Sequence, residues 1–260
     1  MTPPEPDPMS LARSLGLAWS LVTRASLRGE SILLRGGSAG LAGEQFLPTN
    51  WVVVHGPEGV DTAMRAFAGR LRARELPGLI AVSPAVAELA EPAARELRLT
   101  PDEPVPLMAC RAEAFRPRAD SAEIRVVRAR HDRDVEAVAD VLADAFGAPY
   151  DACRGYLGTS RRDTPGVDFF VAALEGRGAA ALTTARLGDV VGIFALGTRP
   201  DQRRQGAAGA ALTAAMRYHL DRGAATFVLQ TSTLGRPLYE SLGYENVEEA
   251  VTWLVLPGAR

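Results

Sequence analysis

The residues best suited to chemistry lie in the stretch RPDQRRQGAAGAAL, residues 199–212. It places Arg203 and Arg204 beside Gly206 and Gly209 at the start of an alanine-rich segment that is predicted to be a helix. The first turn of a helix has unpaired backbone N–H groups and a partial positive charge. The arginines add full charges, and the small residues let a ligand approach the backbone closely. This combination predicts a phosphate-binding site.

Two common phosphate-binding motifs do not match this stretch. The Walker motif requires a lysine, and all 29 basic residues of the chain are arginines. The dinucleotide fingerprint G-x-G-x-x-G does not occur here either. The alternative interpretation is a helix start whose small residues only allow close packing.

The stretch resembles the acetyl-CoA motif of the GCN5-related N-acetyltransferases (GNAT), written (Q/R)-x-x-G-x-(G/A). Arg203, Gly206 and Ala208 stand at its fixed positions. A later segment, TSTLGRPLYESLGYE, is similar to the family pattern N-x-x-A-x-x-L-Y-x-x-x-G-F. Tyr239 stands at the tyrosine of that pattern and Tyr244 at its final aromatic position.

The resemblance covers about residues 122–257 and implies acetyl-CoA as co-substrate, without a metal. In the family, the loop before the helix holds the CoA pyrophosphate. The preceding strand splays from its neighbour at a bulge and pairs with the pantetheine arm, as an added strand would. The cofactor-binding residues implied in this chain are Leu196, Gly197, Thr198, Arg203, Arg204, Gln205, Gly206, Ala207, Ala208, Gly209 and Ser232.

Tyr239 is the general acid that the resemblance implies. A phenol is protonated at neutral pH and can donate a proton to the departing thiolate. The oxyanion is expected near the backbone N–H groups of residues 196–198. The general base stays open, because residues 190–198 lack the glutamate that many family members place on this strand. The candidates are a chain of water molecules, Asp144, Asp151 and Asp168.

These features predict an N-acetyltransferase that transfers acetyl from CoA to a primary amine by direct attack. The acceptor stays open among small amines, amino acid or antibiotic-like molecules, and protein N-termini or lysines. One alternative is a non-catalytic acyl-CoA-binding sensor or partner module, and another is an α/β interaction protein without CoA. The missing strand carboxylate favours the non-catalytic module, whereas Tyr239 argues against it.

The elements around these residues form two α/β segments. Residues 1–8 are proline-rich and are expected to be a disordered tail. An N-terminal α/β domain is predicted at residues 9–114, a linker at 115–122 and the acetyltransferase domain at 123–260. The predicted fold is α/β (α+β), a GNAT-like mixed and mostly antiparallel sheet with a splayed central strand, flanked by helices. The two domains are expected in tandem.

Both segments contain the order strand, helix, strand, helix, strand. Many α/β units share that order, so it leaves open whether the N-terminal domain is a degenerate second GNAT-like fold. At the position that corresponds to the phosphate motif it has HGPEGVDTAM, with acidic Glu58 and Asp61 and no arginine. Such a domain would have lost CoA binding, and it would shape the acceptor site or form a dimer surface.

Local signals place several helix ends and strands. Ser10 is expected to cap a first helix that runs to about Arg28, and Asp132 to cap the first helix of the second segment. His131 and His219 are expected at helix ends. SILLRGG and QFLPTNWVVVHG are predicted as strands bounded by glycine and proline.

The composition limits partners and location. The net charge of −2 gives no reason to expect nucleic acid or an anionic membrane as partner, and a homodimer stays open. Cys110 and Cys153 form neither a disulfide framework nor a zinc site, so a cytoplasmic setting is expected. Cys153 is not expected to carry the acyl group, because no histidine lies near it in sequence. The N-terminus lacks the features of a signal peptide or membrane span.

Overall fold

The computed structural model describes residues 7–158 and 164–258. Its helices are α1 (Pro8–Ala25), α2 (Val60–Ala73), α3 (Ala87–Glu96), α4 (Asp132–Phe146), α5 (Tyr150–Leu157), α6 (Ala207–Leu220) and α7 (Arg236–Ser241). Its strands are β1 (Glu30–Leu34), β2 (Gly37–Leu41), β3 (Asn50–Val54), β4 (Gly78–Val82), β5 (Thr100–Arg111), β6 (Ile124–Arg128), β7 (Val167–Leu174), β8 (Arg177–Leu187), β9 (Val190–Thr198), β10 (Thr226–Gln230) and β11 (Glu245–Val255). In the described ranges, no helix is both long enough and apolar enough to span a membrane.

The described strands form one sheet in the order β1-β2-β3-β4-β11-β5-β10-β9-β8-β7-β6. Two neighbouring pairs are parallel, β3 with β4 and β9 with β10. The other neighbours are antiparallel. The predicted fold class, a mixed and mostly antiparallel sheet flanked by helices, is confirmed.

Strands β1–β5 of the first half (residues 9–114) and β7–β11 of the second half (residues 123–260) follow the same pattern, with β6 as an additional edge strand, and the two halves exchange their last strands. In the first half, β1, β2 and β3 are neighbours and α2 leads to the parallel β4; β7, β8, β9, α6 and β10 repeat this order. The last strand of the first half, β5, pairs with β10, and the last strand of the second half, β11, pairs with β4. β5 and β11 also pair with each other. Each half therefore extends the sheet of the other, as in a tandem arrangement.

Helix α1 belongs to the first half and packs on strands of both halves, β1, β2 and β3 of the first and β8 and β9 of the second. Its buried residues Leu15, Ala18 and Trp19 join an apolar cluster with residues of α4, α5, β8 and β9. Helices α6 and α7 cover a second cluster, and α2 and α3 cover a third. Because burying one large apolar side chain stabilises a fold by about 1.5–3 kcal/mol, α1 holds the halves together.

The start of α1 differs from its prediction. The helix begins at Pro8, and the Asp7 carboxylate accepts a hydrogen bond from the Ser10 N–H at 3.2 Å. Asp7 is therefore the cap instead of Ser10, with proline in the first turn, where its missing N–H costs nothing. Residues 7 and 8 do not belong to a disordered tail. Residues 1–6, where the rest of that prediction falls, lie outside the described residues.

Two further local predictions are corrected. The cap of α4 is His131, one residue before Asp132, and the His131 N–H donates to the Asp134 carboxylate at 3.1 Å. The sequence signals give no strand at residues 37–41, where the structure has β2. GSAGL lacks the β-branched and aromatic residues that mark strands, and its pairing with β1 and β3 decides its conformation.

The predicted linker at residues 115–122 packs against the second half. The Arg116 N–H donates to the Leu242 carbonyl at 3.0 Å, and the Arg118 N–H donates to Thr213 Oγ1 at 3.4 Å. The two halves also share one sheet. The division of the chain into two domains at this linker therefore stays a prediction.

His219 lies near the end of α6, as expected, and is buried. Its Nε2 is 2.8 Å from Thr184 Oγ1, and burial lowers its pKa from 6.5 to about 4. In the unfolded chain, His219 therefore binds a proton below about pH 6.5. In the folded chain it takes up this proton only near pH 4. The free energy of unfolding should fall as the pH decreases through this window.

The substitution His219→Gln should reduce that loss of stability by an amount on the order of 1–3 kcal/mol, since one pKa unit corresponds to about 1.4 kcal/mol. Urea unfolding at several pH values between 6.5 and 4 gives the free energy of unfolding and so measures this reduction. The wild-type protein, unfolded in parallel, is the reference. A His219→Gln variant with the same pH dependence as the wild type would contradict the role of His219.

Candidate functional site

A cleft opens in the sheet where β9 and β10 separate. The paired positions are Val190–Thr226, Val191–Phe227 and Gly192–Val228. Beyond Gly192, β9 continues to Thr198 with no further pairing to β10 in the described residues. Leu196 and Gly197 lie in this part of β9, as expected. Its backbone therefore offers an unpaired edge to an extended ligand, which could bind as an added strand.

A bulge in β9 accompanies the separation. On its other side β9 stays paired with β8, but the register shifts between the pairs Phe194–Thr183 and Gly197–Ala181. β9 thus has one extra residue in this interval. Ala195, within it, has a φ of 50°, a left-handed conformation that is uncommon for residues with a side chain. Such a bulge bends the strand and redirects its backbone, which explains the splay.

The α6 loop, defined as residues 199–209, leads from β9 into α6. Arg204 and Gly206 have φ angles of 65° and 89°, and Gly206 is the N-cap of the helix. Ala210 has the first backbone N–H from residue 203 onward that donates to a backbone carbonyl among the described residues. It donates to the Gly206 carbonyl at 3.0 Å. The amides before it are available to an anion, and the exposed Arg203 and Arg204 add charge.

Arg199 fixes the start of the α6 loop. Its buried guanidinium donates to the Gly178 carbonyl at 2.7 Å and forms ion pairs with Asp140 and Asp144 of α4. A buried charge is tolerated only when it is paired and hydrogen-bonded in this way. The loop is therefore held firmly between the end of β9 and α4.

Ser232 and Tyr239 lie on the β10 side of the cleft. Ser232 follows β10, and its Oγ accepts a hydrogen bond from the Gly235 N–H at 3.3 Å, just before α7. Tyr239 is buried on α7, and its ring meets that of Tyr244 edge to face at 5.6 Å. Burial raises the pKa of Tyr239 above its usual value, against a smaller lowering by the hydrogen bond with Thr231. The hydroxyl is therefore protonated at neutral pH.

The cleft adjoins a cavity of about 530 Å³ between the two halves, which we name the aromatic cavity. Its wall consists of Trp19, Phe46, Leu47, Pro48, Thr49, Trp51, Leu79, Val105, Leu142, Phe146, Cys153, Tyr156, Ile193, Phe194, Ala195, Leu196, Gln230, Thr231, Ser232, Gly235 and Tyr239. The predicted site residues Leu196, Ser232 and Tyr239 thus share one cavity. The other predicted residues, Gly197, Thr198 and those of the α6 loop, lie outside its wall.

Four aromatic rings of the wall contact one another around Trp19. Its ring centroid lies 5.1 Å from that of Phe194, 5.9 Å from that of Trp51 and 6.0 Å from that of Tyr156. The Trp19 indole N–H donates to the Gly40 carbonyl at 2.8 Å, which fixes the ring. Sequence reasoning misses this group, because its members come from both halves and meet only when α1 packs on β9.

The three aspartates considered as general base are not at the cavity. Asp144 pairs with Arg199, Asp168 pairs with Arg128, and Asp151 is exposed on α5. None of the three belongs to the cavity wall. Among residues 7–158 and 164–258, no group of three or more His, Cys, Asp or Glu side chains is placed to hold a metal ion.

Cys153 lies in the cavity wall and stays a thiol at neutral pH. Burial raises its pKa to about 11, with a smaller contribution from Glu44. The reactive form of cysteine is the thiolate, and burial in apolar surroundings disfavours it. The side chain therefore acts as an apolar part of the wall.

The corresponding cleft in the first half is closed. β3 and β4 stay paired to their ends, from Trp51–Leu79 to Val54–Val82. Helix α2 also begins after a left-handed glycine, Gly59, with a φ of 80°. The β1–β2 turn covers this helix start so closely that a Cβ on Gly36 would lie 2.4 Å from the Glu58 carbonyl oxygen. A ligand therefore has no open strand edge there.

Residues 135–244 match the model of the Acetyltransferase (GNAT) family. No curated protein matches the chain in sequence. Among solved structures, the chain is similar to a GCN5-related N-acetyltransferase from Kribbella flavida, with a TM-score of 0.66, 18% identity and 94% of each chain covered.

Two other solved structures share the fold. A GCN5-related N-acetyltransferase from Sphaerobacter thermophilus has a TM-score of 0.61 and 17% identity, covering 86% of this chain and 78% of the other. A tandem GNAT protein from the clavulanic acid biosynthesis pathway has a TM-score of 0.58 and 14% identity, covering 84% and 78%. Residues 135–244 are therefore similar in sequence to the GNAT acetyltransferases, and the chain shares its fold with GCN5-related N-acetyltransferases.

Proposed function

We propose that the protein transfers the acetyl group of acetyl-CoA to an amine, with Tyr239 as general acid. The observation that carries this proposal is the cleft between β9 and β10. It starts beside the unpaired amides of the α6 loop and adjoins a cavity whose wall includes Tyr239. A long ligand with a phosphate at one end and a reactive thioester at the other fits this order of features.

The residues of the cleft suit the parts of acetyl-CoA. The unpaired amides of residues 203–209, together with Arg203 and Arg204, would hold the pyrophosphate, since charge-assisted hydrogen bonds contribute about 1.5–3 kcal/mol each. The edge of β9 at residues 196–198 would pair with the pantetheine amides, and Ser232 would contact the arm from the β10 side. Acetyl-CoA supplies an activated acetyl thioester.

The chain's own groups then assist the transfer. Backbone N–H groups at residues 196–198 would stabilise negative charge on the carbonyl oxygen. The Tyr239 hydroxyl, kept protonated by burial, would give its proton to the departing sulfur. The aromatic cavity would exclude bulk water and place the amine. Small amines and protein amines both remain acceptor classes of this proposal, and we further propose a cytoplasmic location with a homodimer as one assembly.

A non-catalytic acyl-CoA sensor is the second candidate. It is favoured by one observation, the lack of a carboxylate in the wall of the aromatic cavity among the described residues. It shares the CoA-binding cleft with the enzyme, so binding alone does not separate the two. Release of free thiol from acetyl-CoA in the presence of amines does.

Calorimetric titration with acetyl-CoA, CoA and NAD tests the proposal. We expect saturable binding of acetyl-CoA and CoA and no binding of NAD, because the cleft offers strand pairing to pantetheine amides, which NAD lacks. Thiol release with a panel of amines then tests transfer. If neither CoA species binds, the α6 loop is only a tightly packed helix start and the proposal is wrong. If both bind and no amine is acetylated, the sensor is supported.

A further inference from the structure

The wall of the aromatic cavity indicates which kind of acceptor the site would take. Its members are aromatic, aliphatic or neutral polar, and no charged side chain belongs to it in the described part of the chain. It includes the ring group around Trp19 and the pair Phe46 and Phe146, whose centroids are 6.4 Å apart. Such a wall favours an apolar ligand, and an aromatic one in particular.

Two nearby carboxylates lie outside the cavity wall. Glu44 packs against α5, where a Cβ on Gly155 would lie 2.2 Å from its Oε1, and its charge acts on Cys153 of the wall. Burial raises the pKa of Glu44, and the charges of Arg28 and Arg74 oppose this. Asp144 is paired with the buried Arg199. The cavity wall itself therefore supplies neither a counterion for an ammonium group nor a carboxylate to deprotonate it.

The free-energy cost of burying a charge decides between a charged and a neutral acceptor. Moving an ammonium ion out of water without a counterion costs several kcal/mol. A cation–π contact with the rings would offset only about 0.5–2 kcal/mol of this. An alkylamine with a pKa near that of lysine is also neutral in roughly one molecule in a thousand at neutral pH. An ammonium acceptor would therefore be disfavoured in both binding and reaction.

Two unpaired polar groups add to this pattern. The indole N–H of Trp51 and the Oε1 of Gln230 are buried and have no hydrogen-bond partner among the described residues. Both side chains belong to the cavity wall. A buried polar atom without a partner costs free energy, so a ligand that pairs one or both of them would gain affinity. A neutral amine can donate its N–H to an amide oxygen such as that of Gln230.

Resting on the proposed function, we infer that the acceptor is an apolar, weakly basic amine of the aromatic amine class, uncharged at neutral pH. The lone pair of its nitrogen attacks the thioester carbonyl carbon and forms the C–N bond. The C–S bond breaks, and the sulfur takes the proton of Tyr239. The nitrogen loses one proton, which returns the tyrosine to its neutral form directly or through water. The products are an amide and free CoA, and no carboxylate base is needed.

A pair of constitutional isomers tests the inference. p-Toluidine and benzylamine have the same atoms and similar size, but only benzylamine is mainly an ammonium ion at neutral pH. With acetyl-CoA as donor, kcat/KM from thiol release should be at least roughly tenfold higher for p-toluidine. Its pH profile should be flat from neutral pH upward, whereas that of benzylamine should rise. Preference for benzylamine, a lysine peptide or glutamate at neutral pH would overturn the inference.

A matched pair of variants tests the missing charge directly. Phe146 lies in the cavity wall and is 39% exposed, so a polar residue is tolerated there. Phe146→Glu adds a carboxylate, and Phe146→Gln adds the same shape without charge. The ratio of benzylamine to p-toluidine activity should be at least roughly tenfold higher in Phe146→Glu than in Phe146→Gln. Equal ratios would count against the inference.

Binding of acetyl-CoA, measured by calorimetry on the same samples, distinguishes failure of the proposed function from failure of the inferred acceptor class. If acetyl-CoA does not bind, the proposed function is wrong and the inference falls with it. If acetyl-CoA binds and none of the apolar amines is acetylated, only the acceptor class is wrong. Glu44→Gln completes the set, because acetylation of p-toluidine should persist in this variant. Its loss, with the fold intact, would identify Glu44 as a base and overturn the inference.

Discussion

Replacement of Tyr239 by phenylalanine should lower kcat by about 10²–10⁴-fold and leave the affinity for acetyl-CoA nearly unchanged. The substitution removes only the hydroxyl group. The ring keeps its edge-to-face contact with Tyr244 and its place in the cavity wall. The loss therefore reports the proton that the sulfur needs as it leaves. Initial rates of thiol release give kcat, and calorimetry gives the affinity.

Tyr244→Phe is the matched control. Tyr244 is a buried tyrosine beside Tyr239, its hydroxyl lies 3.6 Å from Met216 Sδ, and it does not belong to the cavity wall. Its substitution should change kcat by less than about threefold, since it removes no catalytic proton. A Tyr239→Phe variant with normal turnover and a tenfold loss of affinity would refute the general-acid role and leave Tyr239 as a binding residue.

Substitution of Gly206 by glutamate should abolish measurable binding of acetyl-CoA. The φ of 89° at Gly206 disfavours any residue with a side chain. The new carboxylate would also stand at the N-terminus of α6, where it would compete with the pyrophosphate for the same amides. Loss of even two charge-assisted hydrogen bonds would weaken binding by about 3–6 kcal/mol. Titration calorimetry checks this.

Gly176→Glu is the matched control. It adds the same charge and a similar backbone strain, so it separates loss of the anion site from these two effects. Gly176 has a φ of 81°, close to that of Gly206, and lies in the turn between β7 and β8 with no heavy atom within 4 Å of an added Cβ. The variant should bind acetyl-CoA as the wild type does, and thermal unfolding should show comparable stability for both variants. Unchanged affinity in Gly206→Glu would remove the phosphate assignment.

The sequence by itself determined those parts of the site that depend on neighbouring residues. Arg203, Gly206 and Ala208 stand at fixed spacing within one loop and one helix turn, so their types alone predict an anion-binding helix start. The positions of Gly206 and Tyr239 follow from short segments whose conformation is local. Most strands are also visible as apolar runs, because burial of such runs is a local property of the pattern.

Only the tertiary structure decided what depends on distant segments. The exchange of β5 and β11 joins strands far apart in the chain, and no periodicity in sequence encodes that pairing. The aromatic cavity arises because α1 of the first half packs on β9 of the second, which brings Trp19 to Phe194. The same packing leaves the aspartates considered as base outside the cavity wall. Contacts between remote residues depend on how whole elements pack, and that free energy is not contained in any short stretch.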